Sequence, residues 1–307
     1  MDEGARMNPA WKDSEALKSQ WSQWLRVGGG DQPANHLNYI DSLALRWGAV
    51  CGEAMALPMA WKRRWLLRVA YTPFAVQQWG PVGSCDAAEL KALVAGIPRR
   101  FTKVDIAMRQ PQGWQAPTGW HWGQRGRLSR WESLPNHELP LGQSYEAIHT
   151  NYSKQCLRNL KKASKADLQA FEQDSPTLLI QTFQANQGSK YDVPSGYLSA
   201  MSQVMYQAMH QGRGKVLTLY GPGNQLHAGL FLIQSQDRVV MLFSCVTEAG
   251  LTSGAMTHLI DHAIIDAVGR YDLFDFEGSK APGLARFYRG FGAKLVPYLR
   301  FQRYALL

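Results

Sequence analysis

Residues 273–293 read LFDFEGSKAPGLARFYRGFGA, and this stretch decides the fold. In a strand over 273–277, Leu273, Asp275 and Glu277 point to one side, and Phe274 and Phe276 to the other. Gly278-Ser279-Lys280 ends the strand, a helix over 283–290 follows, and a last strand covers 295–304. Working upstream, strands are predicted over 215–220, 226–234 and 238–246, with Gly221-Pro222-Gly223-Asn224 as a turn between the first two. A helix over 257–268 buries Met256, Leu259, Ile260, Ala263, Ile264 and Val268. Strands that first pair as hairpins and then alternate with helices predict an α/β fold whose mixed (α+β) sheet is covered by helices.

Further upstream, helices are predicted over 144–151, 154–171, 175–187 and 197–210, with a polar loop over 188–196. All eleven tryptophans fall between Trp11 and Trp131. That shift in composition predicts two domains, 1–142 and 143–307, in a chain of 307 residues. In the Trp-rich half, helices are expected over 14–26, ended by Gly28-Gly29-Gly30, over 36–50 and over 87–95. Strands are expected over 64–71, 101–108 and 127–134, with a loop over 111–126.

A net charge of +9 points to an anionic partner. No apolar run is long enough to span a bilayer, and the first residues lack an apolar signal core, which favours the cytoplasm. The four cysteines lie far apart, without metal-ligand spacing, so no metal site is expected.

Three constellations carry candidate chemistry. Asp275 and Glu277 crowd two carboxylates at the end of a strand, where repulsion can raise one pKa into the range of a general base. An ion pair with Arg286 or Arg289 is the structural alternative. On the helix from 154, Arg158, Lys161, Lys162 and Lys165 form a cationic row suited to phosphate, with Leu157, Leu160, Ser164, Leu168 and Phe171 facing the core. The turn 250–255, GLTSGA, offers backbone amides at Ser253 and Gly254 before a helix, a further anion site. No nucleophile elbow, phosphate loop or dinucleotide fingerprint is present.

Taken together, RNLKKASK, LHAGLFLIQSQDRVVMLFSCV, SGAMTHLIDHAI and FDFEGSKAPGLARFYRGFGA resemble the second acetyltransferase-type domain of the Fem-related aminoacyltransferases. YTPFAVQQWG at 71–80 is similar to a first-domain segment of the same proteins. The resemblance implies two acetyltransferase-like (GNAT) domains packed around a cleft. An amine there attacks an activated acyl group directly, with aminoacyl-tRNA or acyl-CoA as donor substrate and no tightly bound cofactor. It implies that Asp275 or Glu277 orients or deprotonates the amine, that Tyr288 donates to the leaving group or oxyanion, and that the basic helix, with Lys280, Arg286 and Arg289, meets phosphate. Tyr288 stands where Fem enzymes commonly carry lysine, and GLTSGA lacks the full coenzyme A loop of ordinary acetyltransferases.

The implied function is transfer of an acyl or aminoacyl group to an amine, on a cell-envelope precursor such as a nucleotide-sugar peptide, or on a small molecule. The alternatives are a coenzyme A-dependent N-acetyltransferase and a non-catalytic module binding RNA or a nucleotide sugar.

Overall fold

The computed structural model describes residues 9–27, 32–114, 117, 119–123, 127–188, 193, 195–278 and 280–305. Gly28-Gly29-Gly30, Ser279 and most of the loop 188–196 lie outside the described residues. The chain divides into two compact units, one of residues 1–134 and 297–307, the other of 135–296.

The first unit contains β1 (Ala10–Asp13), α1 (Lys18–Val27), α2 (Leu37–Leu43), β2 (Trp47–Cys51), β3 (Met55–Arg64), β4 (Leu67–Tyr71), β5 (Val82–Gly83), α3 (Ala87–Ala95), β6 (Phe101–Arg109), β7 (Trp120–Gly123) and β8 (Arg127–Leu134). The helix expected over 36–50 is two elements. Its second half, WGAVC, is buried at every position because it lies between β1 and β3 as a strand. The strand expected over 64–71 is the turn and return arm of the β3–β4 hairpin. Helix α3 starts at Asp86, whose carboxylate accepts from Ala88 N and Glu89 N while Glu89 accepts from Asp86 N, all at 2.8 Å. It packs on β2 and β3 over a core that includes Leu57, Met59, Leu90 and Val104.

The second unit contains β9 (His137–Pro140), α4 (Tyr145–His149), α5 (Lys154–Ala163), β10 (Gln169–Gln173), α6 (Thr177–Asn186), α7 (Tyr197–His210), β11 (Gly214–Gly221), β12 (Gln225–Gln234), β13 (Arg238–Val246), α8 (Glu248–Ser253), α9 (Ala255–Ala267), β14 (Leu273–Asp275), α10 (Pro282–Arg289) and β15 (Lys294–Leu295). Its sheet runs β10-β11-β12-β13-β14-β9-β15. Only β13 and β14 pair in parallel, as α9 between them requires. Leu139, Leu217, Leu219, Leu230, Val239, Phe274 and Phe276 face α9 in one core, with α5 packed on α9. The opposite face is covered by α6 and α7. Inside the α9 layer, Tyr145 and Tyr152 donate to buried Asp261 at 2.9 and 2.8 Å, so that one carboxylate ties helix to helix.

The long helix expected over 154–171 stops at Ala163. Asp167 has φ +46°, a reversal that sends the chain back as β10 against β11. The buried side of α5 is Cys156 and Ala163, whereas Leu157, Ser164 and Phe171, assigned to the core from periodicity, are exposed.

The segment 295–304, read as one strand, breaks at Pro297, and β16 (Tyr298–Ala305) enters the first unit's sheet between β6 and β8. A single boundary at 142/143 therefore does not describe the chain. Residues 135–142 carry β9 of the second unit, and the last residues belong to the first. Leu299 and Phe301 join the first unit's core, and Arg300 grips Asp105 of β6 through two bonds of 2.7 and 2.8 Å.

Because β16 is an interior strand and every tryptophan lies in the first unit, deleting residues 297–307 should unfold that unit. Tryptophan emission should shift to the solvent-exposed wavelength, and its denaturant transition should vanish. A native emission spectrum in the truncated chain would show that the sheet does not need its returning strand.

Candidate functional site

The second unit's sheet divides along one seam. Strands β13 and β14 pair only at Arg238↔Leu273, Val239↔Phe274 and Val240↔Asp275. Beyond Val240, β13 stays with β12 as far as Val246, while the chain after Asp275 stays with β9 through Phe276 N donating to His137 O. No described strand pairs with β13 on its β14 side from Met241 onward. The seam opens where the two predicted carboxylates sit.

Asp275 is 2% exposed. It accepts from Asn136 Nδ2 at 2.9 Å and from Glu277 N at 3.0 Å, and lies 3.5 Å from the Arg238 guanidinium. Arg238 also lies 3.6 Å from Glu138 and 3.7 Å from Asp237. The cation beside Asp275 is thus Arg238 of β13, not Arg286 or Arg289. Alternation along the strands sets this cluster on the α6–α7 face, opposite Phe274, Phe276 and Leu139.

Glu277 is half-buried, with φ +45°, and Gly278 follows at +62°. Two left-handed residues in succession turn the chain out of the strand, and at a glutamate that conformation is strained. Burial, then the neighbouring Asp275 charge, pushes the Glu277 carboxyl well above the usual range, with Arg238 opposing. Burial also raises Asp275, against Asn136, Arg238 and the Glu277 amide. Asp275 has three groups that favour its charge, so of the pair Glu277 has the higher proton affinity. Tyr197, at the start of α7, feels the same carboxylate: burial and Glu277 push its hydroxyl up to about 12, and it stays protonated at neutral pH.

The other expected residues are placed as follows. Arg158, Lys161, Lys162 and Lys165 are all exposed, Lys165 in the turn beyond α5, and among the described residues none is ion-paired. They belong to the helix layer on the far side of the sheet from the carboxylates, so row and acid pair do not share a face. The turn GLTSGA is no open loop but the body of α8, capped by Thr247 and closed at Gly254 with φ +76°. Ser253 bonds His227 Nδ1 at 2.9 Å, and the Gly254 amide donates to Gly250 O. Both groups are used internally, and a Cβ at Gly254 would lie 2.6 Å from Asn159 O of α5. Lys280, Arg286 and Arg289 are exposed at and beside α10. Tyr288 is buried in the α9 core, its ring stacked on Phe276 at 4.8 Å, on the other side of β14 from Asp275. Burial pushes the Cys51 thiol up to about 11, and those of Cys85, Cys156 and Cys245 to about 12, which leaves no thiolate nucleophile.

Asn136, Glu138, Arg238 and Tyr197 complete the site and were missed in sequence. PNHELP at 135–140 reads as a boundary loop, yet its N-H-E-L alternation is that of a short strand. Arg238 opens the apolar run RVVMLFSCV, and an arginine leading a buried strand requires an acid partner elsewhere in the chain. Nothing local marks Tyr197.

No protein-family model and no curated protein matches the sequence. Solved structures do match, over nearly the whole chain. FemX is 9% identical with a TM-score of 0.65, covering 96% of this chain and 97% of that one. The C-terminal domain of a putative lysylphosphatidylglycerol synthetase from Agrobacterium fabrum is 13% identical with a TM-score of 0.56, covering 94% and 91%. A tandem GNAT protein from the clavulanic acid biosynthesis pathway is 11% identical with a TM-score of 0.50, covering 96% and 98%. At such identities the likeness is one of fold: the chain has the tandem GNAT-like fold of the Fem type. No helix of the described residues is long and apolar enough to cross a membrane.

Two outcomes follow from the seam. Arg238→Met leaves buried Asp275 without its cation and should destabilise the protein by about 3 kcal/mol in denaturant titration, with Asp275→Asn on that background recovering part of the loss. Folded Glu277 keeps its proton where the unfolded chain has released it. Its contribution to stability is therefore complete below the ordinary value near 4.5 and lost as pH rises through the raised one. Glu277→Gln should leave Tm unchanged at a pH of about 4 and raise it by about 3 °C at a pH of about 8. Equal Tm differences at both pH values would place Glu277 in an ordinary solvated setting.

Proposed function

We propose that the chain is an acyltransferase that moves an acyl or aminoacyl group onto an amine, with Glu277 as general base. The observation that carries this reading is a half-buried carboxyl of raised proton affinity at the point where β13 and β14 part. Glu138, Asp275 and Glu277 gather around one guanidinium, Arg238, and this excess of carboxyl groups suits an ammonium. In its ionised form Glu277 takes the ammonium proton, and the freed lone pair attacks the carbonyl carbon of a thioester or ester donor. The tetrahedral intermediate collapses, the nitrogen loses its second proton to water, the C–S or C–O bond breaks, and the leaving group takes a proton. Tyr197 is the hydroxyl suited to give it. Asp275 acts as a positioning residue: its acceptor bond from the Glu277 amide fixes the turn that aims the base. Tyr288 supports the same strand from behind, through Phe276.

Among the described strands none pairs with β13 on its β14 side beyond Val240, which supports the reading, because such an edge hydrogen-bonds an extended, amide-containing donor such as the arm of coenzyme A. The exposed row Arg158, Lys161, Lys162 and Lys165 serves the donor's phosphates, away from the reacting atoms. Aminoacyl-tRNA and acyl-CoA both fit these requirements. An amine on a cell-envelope precursor such as a nucleotide-sugar peptide fits as acceptor.

Thermal stabilisation by coenzyme A or by aminoacyl-tRNA should identify the donor, and transfer to a panel of amines should then be measured. Glu277→Gln should lower kcat by about 100-fold or more while donor KM changes little. In the unaltered protein, kcat/KM should rise with pH through an apparent pKa above that of an ordinary glutamate. An unchanged kcat in Glu277→Gln would remove the base from the mechanism. Arg158→Gln with Lys161→Gln and Lys162→Gln should raise donor KM and spare kcat.

A further inference from the structure

The β3–β4 hairpin ends on two bare apolar side chains: Trp65 is 93% exposed and Leu66 100%. The arms pair at Arg64↔Leu67 and Arg63↔Arg68, so Trp65 and Leu66 are the two central residues of the turn. Strand β2 accompanies β3 only from Cys51↔Ala56 to Trp47↔Ala60, and β6 meets β4 only from Arg68 onward. Among the described strands, residues 62–67 therefore have no neighbour but the facing arm of their own hairpin.

The fold does not explain the tip. Trp65 has φ +59°, a conformation glycine adopts freely at the first central position of a two-residue hairpin and a bulky side chain adopts at a cost. The surroundings are cationic. From Ala44 to Tyr71 the cations are Arg46, Lys62, Arg63, Arg64 and Arg68, and the only acid is Glu53, in the turn at the other end of β3. Arg46 and Arg68 lie over the Trp61 ring, and Lys62 lies over Tyr71, which spreads these cations along the arms. Leu45, 104% exposed, enters at the same end of the sheet, next to Arg46, whose carbonyl accepts from Trp61 N.

We infer that this hairpin is a membrane-surface anchor: Trp65 and Leu66 enter the interface of an anionic lipid bilayer while the flanking arginines and lysine meet its headgroups. The pairing of a tryptophan with an aliphatic tip and a basic collar is the complement of such a surface, apolar beneath and negative above. RNA shares the negative charge, but Leu66 has no ring on which a base can stack, and a convex tip offers no groove to a strand. The inference is independent of the proposed chemistry, which lies in the other unit.

The test is co-sedimentation of the full chain with vesicles of phosphatidylcholine containing about 30% phosphatidylglycerol, and with phosphatidylcholine alone, at about 0.1 M salt and at higher salt. The full chain should partition to the anionic vesicles, lose that binding in high salt and ignore the neutral ones. Trp65→Gly with Leu66→Ser, and separately Arg63→Gln with Arg64→Gln, should each weaken partition about tenfold or more at unchanged Tm, each lost cation counting for about fivefold. At a lipid excess that binds both proteins, vesicles with brominated acyl chains should quench emission of the full chain more than that of Trp65→Phe, which reports insertion of that ring separately from partition. No binding of the full chain to the anionic vesicles, equal binding to both kinds, or tip variants that bind like the full chain would overturn the anchor. So would loss of RNA binding, with vesicle binding intact, in the same variants.

Discussion

Burial of the Asp275 carboxylate is the constraint on which the second unit turns. A charge held out of water needs partners from every side, and here they come from three segments: Asn136 before β9, Arg238 of β13 and the Glu277 amide beyond β14. The same bonds mark where β13 and β14 stop pairing. The seam is thus fixed by electrostatics as much as by packing, and the strained turn at Glu277 is held by the residue that raises its proton affinity.

That arrangement separates two carboxyls of like chemistry into two roles. Asp275, ringed by donors, keeps its charge and position. Glu277, two residues later, is raised further by its own burial and by the Asp275 charge, which suits it to the proposed role of base. The α9 layer behind them is a second, independent lock, in which Phe276 stacks on Tyr288 and Asp261 receives two tyrosine hydroxyls. Strand β14 is consequently packed through rings on one face and tied by polar bonds on the other, an arrangement that would hold the proposed base at a fixed distance from a substrate.

Charge is distributed with the same division of labour. The cations of α5 are exposed on one unit, those of the β3–β4 hairpin on the other, and the buried Arg238 is committed to the acid cluster. The net charge of the chain is therefore a sum over separate surfaces.

The sequence by itself determined the alternation that sets Asp275 against Phe274 and Phe276, the apolar stripe of α9, the short helix 87–95 and the Fem-like order of elements, because each is a local periodicity or cap, whereas the strand expected over 273–277 ends at Asp275 and Glu277 lies in the turn beyond it. It also held the two carboxylates of the site. Only the tertiary structure decided that WGAVC is a strand, that the chain's last strand crosses to the first unit, that Arg238 rather than Arg286 or Arg289 pairs with Asp275, and that the cations of α5 lie across the sheet from the acids. Those features arise between residues up to some two hundred positions apart, as in Arg300 with Asp105. A short window of sequence encodes which way a side chain points along its own strand. Which neighbour it meets there is fixed by sheet order and burial, and these exist only once the whole chain has folded.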